Sequence, residues 1–452
     1  MPARRSVQEP RPASAGSPGG APGTASLPWV WERPCVLLKH GEVFLRGRNR
    51  ALFEERLLAN LRTALDRLDG RTWIRKGRSV TFVGGEVPGD VLLAAVRRVV
   101  GFGVVQPALR IAGGQEEIEA AAAEVLGVLR AERGRFSFAV RAKRRDRAFP
   151  LTSTQLAAAV GARVQGELGL PVDLSSPDVE LRVEVERGES YLSWRRLRGL
   201  EGLPVGTSGR ALALLSGGYD SPVAAHRAMR RGLRCDFVHF TGAPYTDPSS
   251  AYKAYALARE LNAYQPAARL HVVPMGRAQK QLAIAGAGRV QVVAQRRLMV
   301  RAASVLARDL GADALVTGDS LGQVASQTVA NLAAVDEAAT LPVLRPLLGW
   351  EKQEIINEAT AIGTAQISVL PDEDCCGLLA PPRVTTKAHA GELQRVERRL
   401  ELDEVVEELL AGAQCLSPGA PGAPGAVGAP AVEGARPGQS SAVTSTPTTA
   451  TS

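Results

Sequence analysis

Residues 212–222 read Leu-Ala-Leu-Leu-Ser-Gly-Gly-Tyr-Asp-Ser-Pro. The apolar run Ala211–Leu215 enters Ser216-Gly217-Gly218-Tyr219-Asp220-Ser221, and a helical pattern begins there. Glycines let the backbone turn tightly and approach an anion with no side chain in the way. A helix start presents free N–H groups and the positive end of the helix dipole, and Ser216 and Ser221 offer hydroxyl donors. Such a strand–loop–helix is built to cradle phosphate. Asp220 is out of place beside phosphate unless it holds Mg²⁺, which bridges oxygens of a nucleotide. The chain has no Gly-Lys dipeptide, so this is not a Walker A loop, and it is not a Gly-x-Gly-x-x-Gly dinucleotide turn.

Downstream, further apolar runs at 235–240, 269–273, 313–317 and 341–344 are separated by helical patterns. Buried strands alternating with helices predict a doubly wound parallel sheet, an α/β fold. Upstream, a linker from Gly202 to Gly209 separates this region from a different pattern. There a strand at 34–39 is followed by a helix from Arg50 to Leu68 with Asn49 as its cap. A strand pair at 71–84 and a helix at 91–99 complete a small α+β unit. A second unit has helices at 115–132 and from Ser153 to Glu167, a strand at 136–142, and two strands within 178–197 joined at Arg187-Gly188-Glu189. The expected domains are 34–105, 106–204 and 205–411. Residues 1–33 and 412–452, rich in Pro, Gly, Ala and Ser, cannot bury a core and are expected to be disordered.

Three further segments carry chemistry. Thr317-Gly318-Asp319-Ser320-Leu321-Gly322-Gln323-Val324-Ala325-Ser326-Gln327-Thr328 follows a strand, at the carboxyl end of the sheet where open α/β folds bind ligands. It suits a nucleotide edge, and a plain connecting loop is the bland alternative. Pro371-Asp372-Glu373-Asp374-Cys375-Cys376-Gly377 places two of the chain's five cysteines side by side. Adjacent Cα atoms lie about 3.8 Å apart, too close for ordinary disulfide geometry, and no Cys-x-x-Cys or histidine cluster completes a metal site. A reactive thiol is the sharp reading and an inert loop the other. The carboxylates beside it would raise a thiol pKa, so activation has to come from elsewhere. Cys35, Cys235 and Cys415 read as core or incidental. Finally, Arg141-Ala142-Lys143-Arg144-Arg145-Asp146-Arg147 sets five cations against one acid, a candidate phosphate contact or a solvated loop.

The 452 residues carry a formal net charge of +9. A basic surplus suits a polyanionic partner, or reflects an arginine-rich composition. Few cysteines argue against a disulfide scaffold and for a reduced, cytoplasmic protein. No run of about 18 apolar residues predicts a membrane span, and the N-terminus lacks the apolar core of a secretory signal.

Taken together these segments resemble the tRNA 4-thiouridine synthetases, the ThiI family, over about residues 35–410. Ser-Gly-Gly-x-Asp-Ser is similar to the pyrophosphate-binding loop of ATP pyrophosphatases. The likeness extends over Lys39–Arg50, Arg141–Pro150 with Thr152 and Ser153, Arg296-Arg297-Leu298-Met299, Gly318–Thr328 and Leu344-Arg345-Pro346-Leu347. It implies a ferredoxin-like domain, a THUMP domain for tRNA, and a pyrophosphatase domain. It implies that ATP adenylates C4 of the tRNA uridine at position 8 and that a persulfide displaces AMP. Asp220 matches the essential, metal-holding loop aspartate, and Cys376 the sulfur-handling cysteine. Leu214, Leu215, Ser216, Gly217, Gly218, Ser221, His239, Phe240, Arg296, Gly318 and Gln327 match nucleotide-binding positions. Lys143, Arg144, Arg145 and Arg147 are the expected RNA contacts. A cysteine desulfurase or another persulfide donor is the implied partner, and the family often forms homodimers. Some members add a C-terminal rhodanese domain with a second cysteine; here a helix and a low-complexity tail follow instead, so either an external donor is expected to deliver directly, which is the favoured reading, or Cys415 serves. Asp319 stands where Glu is more usual, and Trp350 where Asp is. The rival readings are another enzyme with this loop, such as a 2-thiouridylase or an amide-forming synthetase, and a catalytically dead RNA-binding protein.

Overall fold

The computed structural model describes residues 34–42, 49–77, 79–373 and 379–421. Both terminal stretches expected to be disordered, apart from 412–421, lie outside the described residues. So do Cys375, Cys376 and residues 43–48 of the opening motif. The chain divides into two compact units, one of Met1–Cys35 with Ala108–Arg195 and one of Val36–Pro107 with Arg196–Ser452.

The second unit opens with strand β1 (Pro34–His40), helix α1 (Arg50–Leu65), the antiparallel pair β2 (Thr72–Lys76) and β3 (Val80–Gly85), helix α2 (Gly89–Arg97) and strand β4 (Phe102–Ile111). Leu57, Leu61 and Leu65 of α1 and Leu92 and Val96 of α2 pack on Val36 and Leu38 of β1. Asn49 stands at the start of α1, yet its side chain makes no capping bond. Strand β4 is absent from the expected elements, and it contains Pro107, a residue that ordinarily cannot sit within a central strand. Val104 and Val105 pair with β8 (Leu197–Arg198), and Leu109–Ile111 pair with another strand, so on this side Pro107 falls in the gap between two ladders, while β1 lies along the other side of β4.

In the first unit, helix α3 (Gln115–Arg133), strand β5 (Phe138–Arg144), helix α4 (Ser153–Leu168), strand β6 (Val179–Glu186) and strand β7 (Glu189–Ser193) follow in order. The second half of β4 pairs with β7, β7 with β6, and β6 with β5. Ile118, Leu126 and Leu129 of α3 and Leu156, Val160 and Val164 of α4 cover Phe138, Leu181 and Val183 of the sheet. Helix α4 starts on a capping box. Gln155 N–H donates to Thr152 Oγ1 at 3.3 Å, and Thr152 N–H donates to Gln155 Oε1 at 2.9 Å, which satisfies donors the helix leaves open.

The remainder of the second unit is the doubly wound part. It runs β9 (Arg210–Leu214), α5 (Asp220–Arg230), β10 (Arg234–Thr241), α6 (Ser249–Leu261), β11 (Leu270–Pro274), α7 (Gly276–Ile284), α8 (Gln291–Asp309), β12 (Ala314–Val316), α9 (Val329–Asp336), β13 (Val343–Leu344), α10 (Lys352–Ala361), α11 (Ala365–Ser368), α12 (Ala390–Glu397), α13 (Leu402–Ala411) and β14 (Gln414–Leu416). The strand order is β13-β12-β9-β10-β11-β14, parallel except for β14. Side chains of β9 alternate between two cores. Ala211, Ala213 and, just beyond the strand, Leu215 enter the one with α5, α6 and α10; Leu212 enters the one with α7, α8 and α13. Both faces are covered, which is why the strand reads as an unbroken apolar run.

One expectation is corrected. The low-complexity tail was placed at 412–452, but Gln414–Leu416 forms β14 on the edge of β11, with His271 opposite Cys415. A three-residue edge strand among small and Pro-rich neighbours leaves no periodicity to read. Among the described residues no helix is long and apolar enough to cross a membrane.

Candidate active site

Strands β12, β9 and β10 lie side by side. From β9 the chain winds outward to β10 and β11, then returns to the other side of β9 for β12 and β13. The crevice between β9 and β12 is therefore a topological switch point, where such sheets bind ligands. The loop after β9 is the Ser-Gly-Gly turn, and the loop after β12 is the Gly318–Thr328 motif. The two touch directly. A Cβ on Gly318 would lie 2.6 Å from Ser221 N and 2.8 Å from Asp220 C, so only glycine lets the second loop rest on the first.

The Ser-Gly-Gly loop, the candidate phosphate cradle, is braced from within. Ser216 N–H donates to Ser221 Oγ at 2.8 Å, the two hydroxyl oxygens are 3.0 Å apart, and Gly218 N–H donates to Ser216 Oγ at 3.3 Å. Ser221 is buried; its hydroxyl, expected as a donor to a ligand, holds the turn instead. Helix α5 begins at Asp220 with no side-chain cap, leaving its first turn to an anion.

Asp220 is met by Gln323 of the Gly318–Thr328 motif and by Lys352, which no sequence motif had marked. Lys352 Nζ lies 3.0 and 3.4 Å from its two oxygens, and Gln323 Nε2 donates to Oδ2 at 3.0 Å. Lys352 is the first residue of α10, five positions after the Leu344–Leu347 motif, and its Nζ also lies 5.4 Å from the ring of Tyr219. Among the described residues no group of three or more His, Cys, Asp or Glu could hold a metal. A single carboxylate at the mouth of a phosphate loop fits Mg²⁺, which keeps most of its waters and takes one or two carboxylates plus substrate phosphates.

Asp319 differs in every respect. It is 3% exposed. Arg296 Nη2 donates to it, Arg345 Nε lies 3.0 Å away, Thr317 Oγ1 donates at 2.8 Å, and Gln327 Nε2 lies 3.4 Å away. Burial pushes its carboxyl up, but Arg296, Thr317 and Arg345 together outweigh burial and hold it below the usual range. Two of the expected nucleotide residues, Arg296 and Gln327, are thus gathered on one buried anion. Arg345 also forks onto Asp336 at 2.6 and 3.1 Å. On β10, His239 Nδ1 donates to the carbonyl of Leu215 at 2.8 Å. Leu215 and Phe240 bury their side chains in the two cores and Leu214 is half-buried.

The basic run is partly committed. Arg145 bridges Glu184 and Glu186, each at 2.6 Å, across the parallel β5–β6 pair. Arg144 Nη1 donates to the carbonyls of Phe149 at 3.1 Å and Leu151 at 3.4 Å. Lys143 and Arg147 are exposed. The count of five cations against one acid therefore overstates the charge on offer, because the neutralising glutamates lie on another strand. Cys35 and Cys235 are buried and Cys415 half-buried. Burial, with Asp236 adding, pushes the Cys235 thiol up to about 12, so it is inert, as expected of a core cysteine.

Comparison with known proteins agrees along the chain. Residues 35–106 match the ThiI ferredoxin-like domain, 115–195 the THUMP domain, and 206–402 the thiamine biosynthesis protein (ThiI) family. A probable tRNA sulfurtransferase of Nocardia farcinica is 57% identical over 85% of this chain and 94% of its own length. That of Thermus thermophilus is 42% identical over 84% and 93%. A crystal structure of a 4-thiouridine synthetase–RNA complex with bound ATP superposes with a TM-score of 0.77 at 29% identity, over 85% of this chain and 99% of that one. A Ser-Gly-Gly turn at the switch point, a preceding THUMP domain and relatives matched along nearly their full length lead to one conclusion: the chain belongs to the ThiI family, with the tRNA sulfurtransferases.

Proposed function

We propose that the chain is an ATP-dependent tRNA sulfurtransferase that converts the uridine at position 8 of tRNA to 4-thiouridine. The observation that carries this reading is Asp220, set at the uncapped start of α5 between Lys352 and Gln323 and floored by Gly318. In the first half-reaction, uridine O4 attacks the α-phosphorus of ATP. The α–β bridge breaks, pyrophosphate leaves, and N3 gives up its proton as the C4–O–P linkage forms. The glycine turn and the first N–H groups of α5 bind the phosphates. Lys352 and the Arg296 end of the Asp319 cluster supply positive charge where the leaving group gains negative charge. Asp220 would hold Mg²⁺, which when bound neutralises phosphate charge.

In the second half-reaction, the outer sulfur of a Cys376 persulfide attacks C4 and the C4–O bond to AMP breaks. The product is linked through a disulfide to Cys376. A second thiol then attacks the cysteine sulfur, releases 4-thiouridine with N3 reprotonated, and leaves a disulfide on Cys376. The persulfide comes from an external donor, a cysteine desulfurase. Lys143 and Arg147 are the exposed cations of the RNA contact, with Arg144 and Arg145 shaping that loop. We place the enzyme in the cytoplasm with its tRNA, as a homodimer.

The test measures tRNA-dependent pyrophosphate release and 4-thiouridine yield under limiting persulfide donor. Cys376→Ser is expected to release pyrophosphate and to form no thiouridine. If its thiouridine yield equals wild type, Cys376 is not the sulfur carrier. If the wild-type chain releases no pyrophosphate with ATP and tRNA, the whole reading fails.

A further inference from the structure

Lys253 lies on α6 and is 7% exposed. A lysine buried beside a phosphate loop is ordinarily a phosphate ligand. Here both of its acceptors lie elsewhere, on the segment that follows α11. Its Nζ donates to the carbonyl of Leu370 at 2.5 Å and to Asp372 Oδ1 at 3.0 Å. The other oxygen of Asp372 overlies Gly217. A Cβ there would collide with it and would stand 3.0 Å from Lys253 Cδ. The glycine thus makes room for this ion pair as well as for phosphate.

Neighbouring bonds fasten the same segment. Ser368 Oγ donates to the carbonyl of Gly218 at 3.2 Å. Glu373 Oε2 accepts Asp247 N–H at 2.9 Å, and Glu373 N–H donates to Ser249 Oγ at 3.2 Å. Residues 368–373 are stitched to the phosphate loop on one side and to the start of α6 on the other. Cys376 stands four positions after Asp372.

We propose that Lys253 and Asp372 are a positioning pair, which locks the chain leading to the sulfur-carrying cysteine onto the phosphate loop so that sulfur arrives in register with the adenylated base. The inference rests on the reading of Cys376 as the carrier. The physical need is plain: the two half-reactions use groups far apart in sequence, and a misplacement of about 1 Å can cost about a hundredfold in rate. An ammonium buried with a single carboxylate makes an unforgiving anchor, because losing one partner strands the other.

The experiment uses the full chain with Lys253→Met, Lys253→Arg and Asp372→Asn, and Cys376→Ser alongside. Three rates are measured: tRNA-dependent pyrophosphate release with its KM for ATP, single-turnover thiouridine formation from limiting persulfide donor, and the same with excess free sulfide. Lys253→Met and Asp372→Asn should keep pyrophosphate release and its KM within about threefold, while persulfide-driven thiolation falls at least about tenfold. Sulfide-driven thiolation should stay within about threefold of wild type, and Lys253→Arg, which keeps the cation, should recover most of the persulfide-driven rate. Asp372→Asn, at a half-buried position, serves as the readout should Lys253→Met not fold. Persulfide-driven thiolation at the wild-type rate in Asp372→Asn overturns the pair. So does a joint rise in KM for ATP and fall in pyrophosphate release, which would make Lys253 a nucleotide ligand. If Cys376→Ser itself thiolates from persulfide like wild type, the underlying reading has failed instead.

Discussion

Two carboxylates, one on each of the loops that flank the same crevice, are treated in opposite ways. Asp220 keeps 21% of its side chain exposed and is touched by one lysine and one amide. Asp319 keeps 5% and is clamped by two arginines and a hydroxyl. An anion held loosely can change partners when a nucleotide and its cation arrive. An anion held from every side cannot, and its value is to fix whatever holds it. The first is an offered charge and the second a committed one. The same division runs through the basic segment, where Arg145 is committed to Glu184 and Glu186 while Lys143 and Arg147 are exposed.

The contrast can be broken most severely at Asp220. Asp220→Ala should lower tRNA-dependent pyrophosphate release by about a thousandfold or more, through loss of cation placement, with melting temperature and tRNA affinity nearly unchanged. Release within tenfold of wild type would show that Asp220 is not the offered carboxylate. Asp319→Asn should do the reverse. It takes the shared buried anion from the half-buried Arg296 and Arg345, of which Arg345 keeps Asp336, so stability should fall by about 3 kcal/mol, and the KM for ATP should rise about tenfold as Arg296 loses its seat. The stability deficit has a defined pH course. The folded-state pKa of Asp319 is depressed, so its contribution is complete above the ordinary carboxylate value and is lost as pH falls through the folded one. The wild-type-minus-mutant difference in denaturant unfolding should be flat from pH 5 to 8 and shrink only below about 4. A difference that shrinks already at pH 6 would contradict the clamp.

The smallest effect belongs to the RNA contact. Lys143→Glu with Arg147→Glu should weaken tRNA binding and lower the slope of log K against log salt by about two, one for each phosphate contact. Arg145→Ala should leave that slope within about half a unit and instead lower the melting temperature. Equal salt slopes in all variants would return the whole run to a solvated loop.

Local grammar accounts for what was legible. The Ser-Gly-Gly loop, the switch from mixed to parallel sheet and the helix start at Ser153 are written in contiguous residues, and so they could be read; the capping box at Thr152 was not among those readings. What escaped is contact between distant parts of the chain. Lys352 meets Asp220 across 132 positions and Lys253 meets Asp372 across 119; no periodicity marks either lysine. The neutralising glutamates of Arg145 lie on a strand 39 and 41 positions away. Strand β4, which contains Pro107, was missed, and β14 was hidden by its brevity. Asn49 shows the opposite failure: the right residue type stands in the right place and makes no capping bond.

Gly318 carries a last consequence, for inheritance. Its missing Cβ is the gap into which the backbone of Asp220 and Ser221 fits, so neither loop can drift in shape alone. A side chain gained at 318 would be felt first at the start of α5, and relief would need a second, simultaneous change nearly a hundred residues upstream. Two stretches that look independent on the chain are therefore yoked as one hereditary unit, free to vary in the residues around them and frozen where they touch.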